Sequence, residues 1–191
     1  MRLFYAAYLS RENMRAYQAL VDDLIRQVSG VLRSIPPSTH HLTLAFLGEI
    51  AESDADMCSS ALDAVKRFEA FDYALGSPSL LVSRGRPRLI RVIVFEGAEK
   101  LRNVQTALLS TLAGNLSSIE TRSKPPHITL ARFKKNAHRP QTRQVQSAIE
   151  RYDTPLPVED HFSRVQLVKS ELTPSGPIYE ALYEVDLTGD P

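Results

Sequence analysis

Apolar positions fall into short alternating runs separated by stretches with helical spacing. "LFYAAYL" (Leu3–Leu9) is dense in aromatic residues and reads as a buried strand. Ser10 suits a helix N-cap, and Met14, Tyr17, Leu20, Val21, Leu24 and Val28 then recur every three or four residues, predicting a helix over Arg11–Ser29. "VLRSIPP" reads as a short strand ended by prolines, and "HLTLAFL" as the next strand. Ser53 with Asp56 resembles a capping box ahead of a second helix carrying Met57, Ala61, Val65 and Phe68. "FDYAL" and "SLLV" are candidate strands, "GRPR" at Gly85–Arg88 a turn, and "LIRVIVF" (Leu89–Phe95) the strongest strand signal. Leu101, Val104, Leu108 and Leu112 mark a third helix, and "HITLARF" is another strand. Pro140 opens a weaker fourth helix through about Ile149. "RVQLVKSEL" and "YEALYEVDL" close the chain as strands around a "TPSGP" hairpin loop.

Within this pattern one tetrapeptide occurs twice: His41-Leu42-Thr43-Leu44 and His127-Ile128-Thr129-Leu130 share His-x-Thr-Leu, 127 − 41 = 86 residues apart. A random chain of this composition would hold roughly 0.03 such matches, so two are not a coincidence. Each is preceded by a strand and a helix: Leu3 to His41 is 41 − 3 = 38 residues, and Leu89 to His127 is 127 − 89 = 38. The order indicates an internal duplication, with repeats of roughly 1–88 and 89–191 in one domain. Units related in this way pack about a pseudo-twofold axis, which would bring the two histidines together. Strand alternation puts His41, Thr43 and Ala45 on one face and Leu42, Leu44 and Phe46 on the other. His127, Thr129 and Ala131 likewise oppose Ile128 and Leu130. The expected site has two imidazoles and two hydroxyls, with Ala45 and Ala131 leaving room for a ligand. Such a set suits phosphodiester chemistry. One imidazole takes a proton from water, the other protonates the leaving oxygen, and the hydroxyls bond the non-bridging oxygens as charge builds.

Composition narrows the context. Of the 191 residues 43% are hydrophobic and 24% charged, ordinary values for a soluble globular chain, and the net charge of +1 marks no global nucleic-acid or membrane binder. Cys58 is the only cysteine, which removes an intrachain disulfide or a thiolate zinc knuckle. No apolar run approaches the roughly 20 residues of a membrane span, and a cytoplasmic location is expected. A metal site built from His41 and His127 is disfavoured, because the motifs lack HExxH spacing or a neighbouring acidic ligand. No cofactor is called for.

The duplicated motif, with "RLFYAAYLS", "HLTLAFLGEI", "RPRLIRVIVF", "KPPHITLARF" and "VQLVKSELTPSGPIYEAL", resembles the two-histidine phosphoesterase superfamily. It is most similar to the bacterial and archaeal RNA 2′,3′-cyclic phosphodiesterase branch, also called 2′-5′ RNA ligase. The resemblance implies a duplicated, bilobal α+β fold with two antiparallel sheets lining a central cleft and helices outside. It implies metal-independent opening of 2′,3′-cyclic phosphate RNA ends to 2′-phosphates, with reverse 2′-5′ ligation open. On that pattern His41 is the proton donor to the leaving 3′ oxygen, His127 the proton acceptor that activates water, and Thr43 and Thr129 hold the phosphate. The family also places an arginine five residues after the second histidine, here Arg132. Strict alternation turns Arg132 away from His127, unless a bulge or the strand end brings it back.

Other residues divide between readings. His40 is expected to be structural or exposed, and His138 and His161 to lie in polar surface loops. Two basic groups stand out, Arg84, Arg86, Arg88 and Arg91, and Arg122, Lys124, Lys134, Lys135 and Arg139. Each is a positive rim for an RNA backbone or merely a solvated loop. Tyr179 could stack on a base or belong to the core, and Phe4, Tyr5 and Tyr8 belong to a core strand with one face open to the cleft. The expected partners are RNA ends or small cyclic-phosphate nucleotides, with no membrane and no obligate protein partner. Alternatives of substrate are ADP-ribose 1″,2″-cyclic phosphate or a 2′-5′ oligonucleotide; the alternative of class is a non-catalytic RNA-end binder.

Overall fold

The computed structural model describes the chain except residues 29, 37–38, 114–124, 136, 138, 153, 155, 174–175 and 190–191. Strand β1 (Arg2–Tyr8) leads into helix α1 (Arg11–Gln27), capped by Ser10, whose Oγ accepts from the Asn13 backbone N–H at 3.3 Å. The apolar stripe of α1 is buried, with Tyr17, Leu20, Val21 and Leu24 fully enclosed. Then come β2 (Leu32–Ser34), β3 (His41–Glu49) and α2 (Ala55–Ser60), which tightens into a 3₁₀ stretch over Ala61–Arg67. The expected capping box at Ser53 does not form: Asp54 stands at the N-cap position, and Ser53 Oγ donates to its carboxylate instead. After β4 (Phe71–Ala74) and β5 (Ser79–Ser83), β6 (Arg86–Ile93) precedes α3 (Ala98–Leu112). The hairpin turn before β6 sits at Arg84 and Gly85, both with positive φ, so "RPR" belongs to the strand rather than to a turn. β7 (His127–Phe133), α4 (Arg139–Glu150), β8 (Glu159–Phe162), β9 (Arg164–Thr173) and β10 (Gly176–Asp186) complete the fold.

The architecture is α+β, with helices and predominantly antiparallel strands. Among the described residues eight strands form one sheet in the order β10-β9-β1-β3-β7-β6-β5, with β2 also paired to β7, while β4 and β8 make a separate pair. The large core packs α1, α3 and the 3₁₀ stretch against one face through Leu3, Tyr5, Leu42, Leu44, Ile128 and Leu130. The opposite face carries a small apolar group, Phe4, Ala6 and Val168, flanked by Tyr8, Phe46 and Tyr179.

Within the sheet the antiparallel halves meet at a narrow seam. β3 and β7 pair at Leu42↔Ile128, the residues that follow the two motif histidines. Pairing of β1 with β3 sets Phe4 against Phe46, and pairing of β6 with β7 sets Leu89 against Arg132. Phe46 and Arg132 both stand five residues after a motif histidine. The strand before each motif therefore matches Phe4 with Leu89, one residue off the Leu3–Leu89 match that equal spacing suggested.

Candidate active site

Leu42 and Ile128 point into the core, 1% and 0% exposed. Their neighbours on either side, His41 and Thr43, His127 and Thr129, therefore point to the other face, where both motifs adjoin. Each imidazole is held in the same way. His41 Nδ1 is 2.6 Å from the Thr39 carbonyl oxygen and His127 Nδ1 is 2.9 Å from that of Pro125, in both cases two residues back. Since a carbonyl only accepts, each Nδ1 carries the proton and donates it. That fixes the tautomer and leaves each Nε2 as the proton-accepting nitrogen of the neutral ring.

Both strands bulge at the same place. The β1–β3 register passes from Ala6↔Thr43 to Tyr5↔Ala45, leaving Leu44 unpaired, and the β6–β7 register passes from Arg91↔Thr129 to Ile90↔Ala131, leaving Leu130 unpaired. An extra residue reverses alternation beyond it. Ala45 and Ala131, expected to leave space beside the histidines, are instead buried in the main core. Phe46 and Arg132, expected on the far face, turn onto the histidine face and line the cleft. The bulge at Leu130 thus removes the conflict between strand alternation and a phosphate role for Arg132.

The resulting cleft holds about 550 Å³ and is lined by His41, Thr43, Thr129 and Arg132 together with residues not singled out from sequence, among them Arg2, Arg33, Phe46 and Ser170. Tyr179 and Ile178 of β10 form a wall. Among the described residues three arginines and no carboxylate line it, so it favours an anion. Phe46 had a signal in the sequence, the same five-residue spacing that marked Arg132. Arg2 and Arg33 had none, because their approach depends on register with β3 and β7.

His41 sits among aromatic rings, with centroids 5.1 Å from Phe4, 5.7 Å from Tyr8 and 5.4 Å from Tyr179. Burial pulls its pKa from 6.5 down to about 4. The Thr39 carbonyl opposes that, and the positive charges of His40, Arg132 and His127 add to it. Burial likewise raises the Tyr8 phenol to about 12, with Tyr179 adding to the rise. Tyr179 is raised too, chiefly by burial, against the pull of Arg132 and Arg2. Arg2 also stacks over Phe46, 4.8 Å from its ring centroid.

The remaining candidates separate. His40 is fully buried, next to the backbone of Leu130 and Ile35 but without hydrogen-bond geometry to a described group, and burial lowers its pKa. His161 lies in β8 rather than a loop, its Nδ1 2.6 Å from an Asp72 carboxylate oxygen. His138, Arg122 and Lys124 lie outside the described residues, as does the side chain of Arg139. Among the described residues no three His, Cys, Asp or Glu side chains converge as a metal site, and no helix is long and apolar enough to cross a membrane.

Comparison with known proteins agrees with this geometry. The model of the 2′-5′ RNA ligase superfamily matches residues 32–173, which include both motifs. A Thermus thermophilus relative named RNA 2′,3′-cyclic phosphodiesterase is 35% identical over 100% of this chain and 92% of its own. An Aeropyrum pernix relative of the same name is 32% identical over 87% of this chain and 93% of its own. Among solved structures, TT0787 of Thermus thermophilus superposes with a TM-score of 0.78 at 30% identity, covering 100% of both chains. Escherichia coli LigT complexed with 3′-AMP shares the fold, with a TM-score of 0.70 at 21% identity over 98% of this chain and 97% of that one.

Proposed function

The chain belongs to the 2′-5′ RNA ligase superfamily, and from that premise we propose that it hydrolyses 2′,3′-cyclic phosphate ends of RNA to 2′-phosphomonoesters without a metal. The observation that carries this reading is the seam at Leu42↔Ile128, which sets two identically tethered imidazoles and two threonines on one face beside Arg132. The names of the relatives support the substrate.

In the proposed reaction His127 Nε2 takes a proton from water as the water oxygen attacks phosphorus. The bond from phosphorus to the 3′ oxygen breaks, and protonated His41 gives its proton to that oxygen, leaving the phosphate on the 2′ oxygen. Thr43, Thr129 and Arg132 bond the non-bridging oxygens, where negative charge grows. Each proton transfer contributes about 10²–10⁴-fold in rate. In the free protein His41 is neutral at pH 7, because burial outweighs its Thr39 tether. The negative charge of the cyclic phosphate is what restores a proton to it. With the 5′-hydroxyl of a second RNA end in place of water, the same attack on phosphorus and departure of the 3′ oxygen join the two ends through a 2′-5′ bond, and microscopic reversibility lets the same groups cleave that bond back to the cyclic phosphate. The chain is one duplicated domain working in the cytoplasm on this reading.

The test uses an RNA oligonucleotide ending in 2′,3′-cyclic phosphate, in EDTA, with phosphorus NMR to identify the product. A 2′-phosphate is expected, lost in His41→Ala and His127→Ala. A substrate with sulfur at the 3′ bridging position needs no protonated leaving group, so it should restore turnover to His41→Ala and not to His127→Ala. The opposite rescue would exchange the two roles. A 3′-phosphate product would reject the polarity of ring opening.

A further inference from the structure

A second cavity, of about 640 Å³, opens beside the cleft at the ends of β6 and β7. Its described lining includes Arg33, Arg86, Arg88, Arg132, Lys134 and Lys135 and holds no carboxylate. Arg33 and Arg132 line both cavities, so the two adjoin at this pair. They stand directly opposite one another in the β2–β7 ladder. Like charges in that position repel unless an anion lies between them. Arg86 is placed by the tight turn at Arg84 and Gly85, which closes β5 on β6 through Ser83↔Arg86. Lys134 is fixed by its backbone N–H, which donates to the Val31 carbonyl at 2.9 Å. Among the described residues none of the six takes part in an ion pair. The whole chain carries a net charge of only +1, so this concentration of positive charge is local.

We infer that the second cavity is the track for the RNA strand upstream of the reacting end. With the cyclic phosphate at His41 and His127, the phosphates on the 5′ side pass over the Arg33–Arg132 pair and lie among Arg86, Arg88, Lys134 and Lys135. A row of cations leading out of an anion site fits a row of linked phosphates better than a single small nucleotide. The preferred substrate is then an oligonucleotide end rather than a cyclic mononucleotide or a cyclic phosphate of a dinucleotide cofactor. The inference rests on the cyclic phosphodiesterase reading and deepens it.

The experiment compares cytidine 2′,3′-cyclic monophosphate with a tetranucleotide bearing the same cyclic end, across a series of salt concentrations. The enzymes are the unaltered protein and Arg86→Ala/Arg88→Ala/Lys134→Ala/Lys135→Ala. The unaltered protein should favour the tetranucleotide at least tenfold in kcat/KM at low salt. The variant should lose that preference through KM and keep mononucleotide turnover within about twofold, which also shows that it is folded. Its slope of log kcat/KM against log salt should flatten by up to about 2, from about 0.7 for each of the three upstream phosphates of the tetranucleotide. Equal use of both substrates by the unaltered protein overturns the track while the phosphodiesterase reading stands. A variant that keeps its preference, or loses both substrates equally, also overturns it. No turnover of either substrate by the unaltered protein rejects track and phosphodiesterase together.

Discussion

The protonation of His41 offers the sharpest check on the site. Burial among Phe4, Tyr8 and Tyr179 lowers its pKa from 6.5 to about 4. At about 1.36 kcal/mol per pH unit, the pocket disfavours the protonated ring by about 3 kcal/mol. On the proposed reaction His41 must overcome that as proton donor, with the compensating charge coming from the substrate. The perturbation is a nucleoside 2′-sulfate, an anion whose own charge does not change between pH 4 and 8. The assay is NMR titration of the His41 ring with and without it, the assignment taken from His41→Gln. The free ring should titrate near 4 and the complexed ring markedly higher. By linkage the sulfate then binds more tightly as pH falls below the complexed value. The gain levels off near the free value and reaches about 300-fold if the anion restores 6.5 in full. Arg132→Ala should raise the free midpoint only slightly, since burial is the larger cause. A free midpoint above about 6 would refute the burial argument. A midpoint that stays near 4 under saturating anion would refute His41 as donor.

Three further outcomes follow from the structure. Arg132→Ala should lower kcat/KM on the cyclic mononucleotide about 10²–10³-fold in steady-state assays, with Arg132→Lys recovering part of it; a loss under threefold removes Arg132 from the phosphate. His41, neutral when folded, stabilises the protein fully above its unfolded pKa of about 6.5, and that stability drains away as pH falls towards 4. Urea unfolding should therefore show up to about 2 kcal/mol more loss from pH 7 to 5 in the parent than in His41→Gln; equal losses contradict it. Gly97 holds φ at 75°, and a methyl there would stand 2.9 Å from Tyr73 Cβ, so Gly97→Ala should cost about 1–3 kcal/mol in thermal or urea unfolding; an unchanged midpoint would contradict it.

Local sequence was a good guide where one physical signal dominates. The stripe Tyr17, Leu20, Val21 and Leu24 could only be the buried face of a helix, and His-x-Thr-Leu in duplicate pointed to both imidazoles before any geometry was known. It was a poor guide wherever alternation broke. Counting by twos put Ala45 and Ala131 in the cleft and Phe46 and Arg132 outside it; the bulges at Leu44 and Leu130 exchange each pair. A bulge leaves no composition mark here, since Leu-Ala inside a strand looks the same with or without it. β8 escaped notice because "EDHF" reads as polar loop, although Asp160 and Phe162 are buried. Arg2 and Arg33 reach the cleft through partners far away in the chain, Glu49 and Arg132, which no local window contains.

The narrow seam has a mechanical meaning. β3 and β7 share one rung, and both motif histidines sit one residue from it. Suppose the sheet halves rock by about five degrees about that rung. Side chains about 4 Å away then shift by only about 0.3 Å, but β10, three strand spacings from β3 at about 4.8 Å each, swings by more than 1 Å. Tyr179 and Ile178 ride on β10. The β10 wall of the cleft is thus on the long arm of a lever and the two motif histidines are at its fulcrum. The cleft can yield to the shape of a ligand while the spacing of the two imidazoles stays nearly constant.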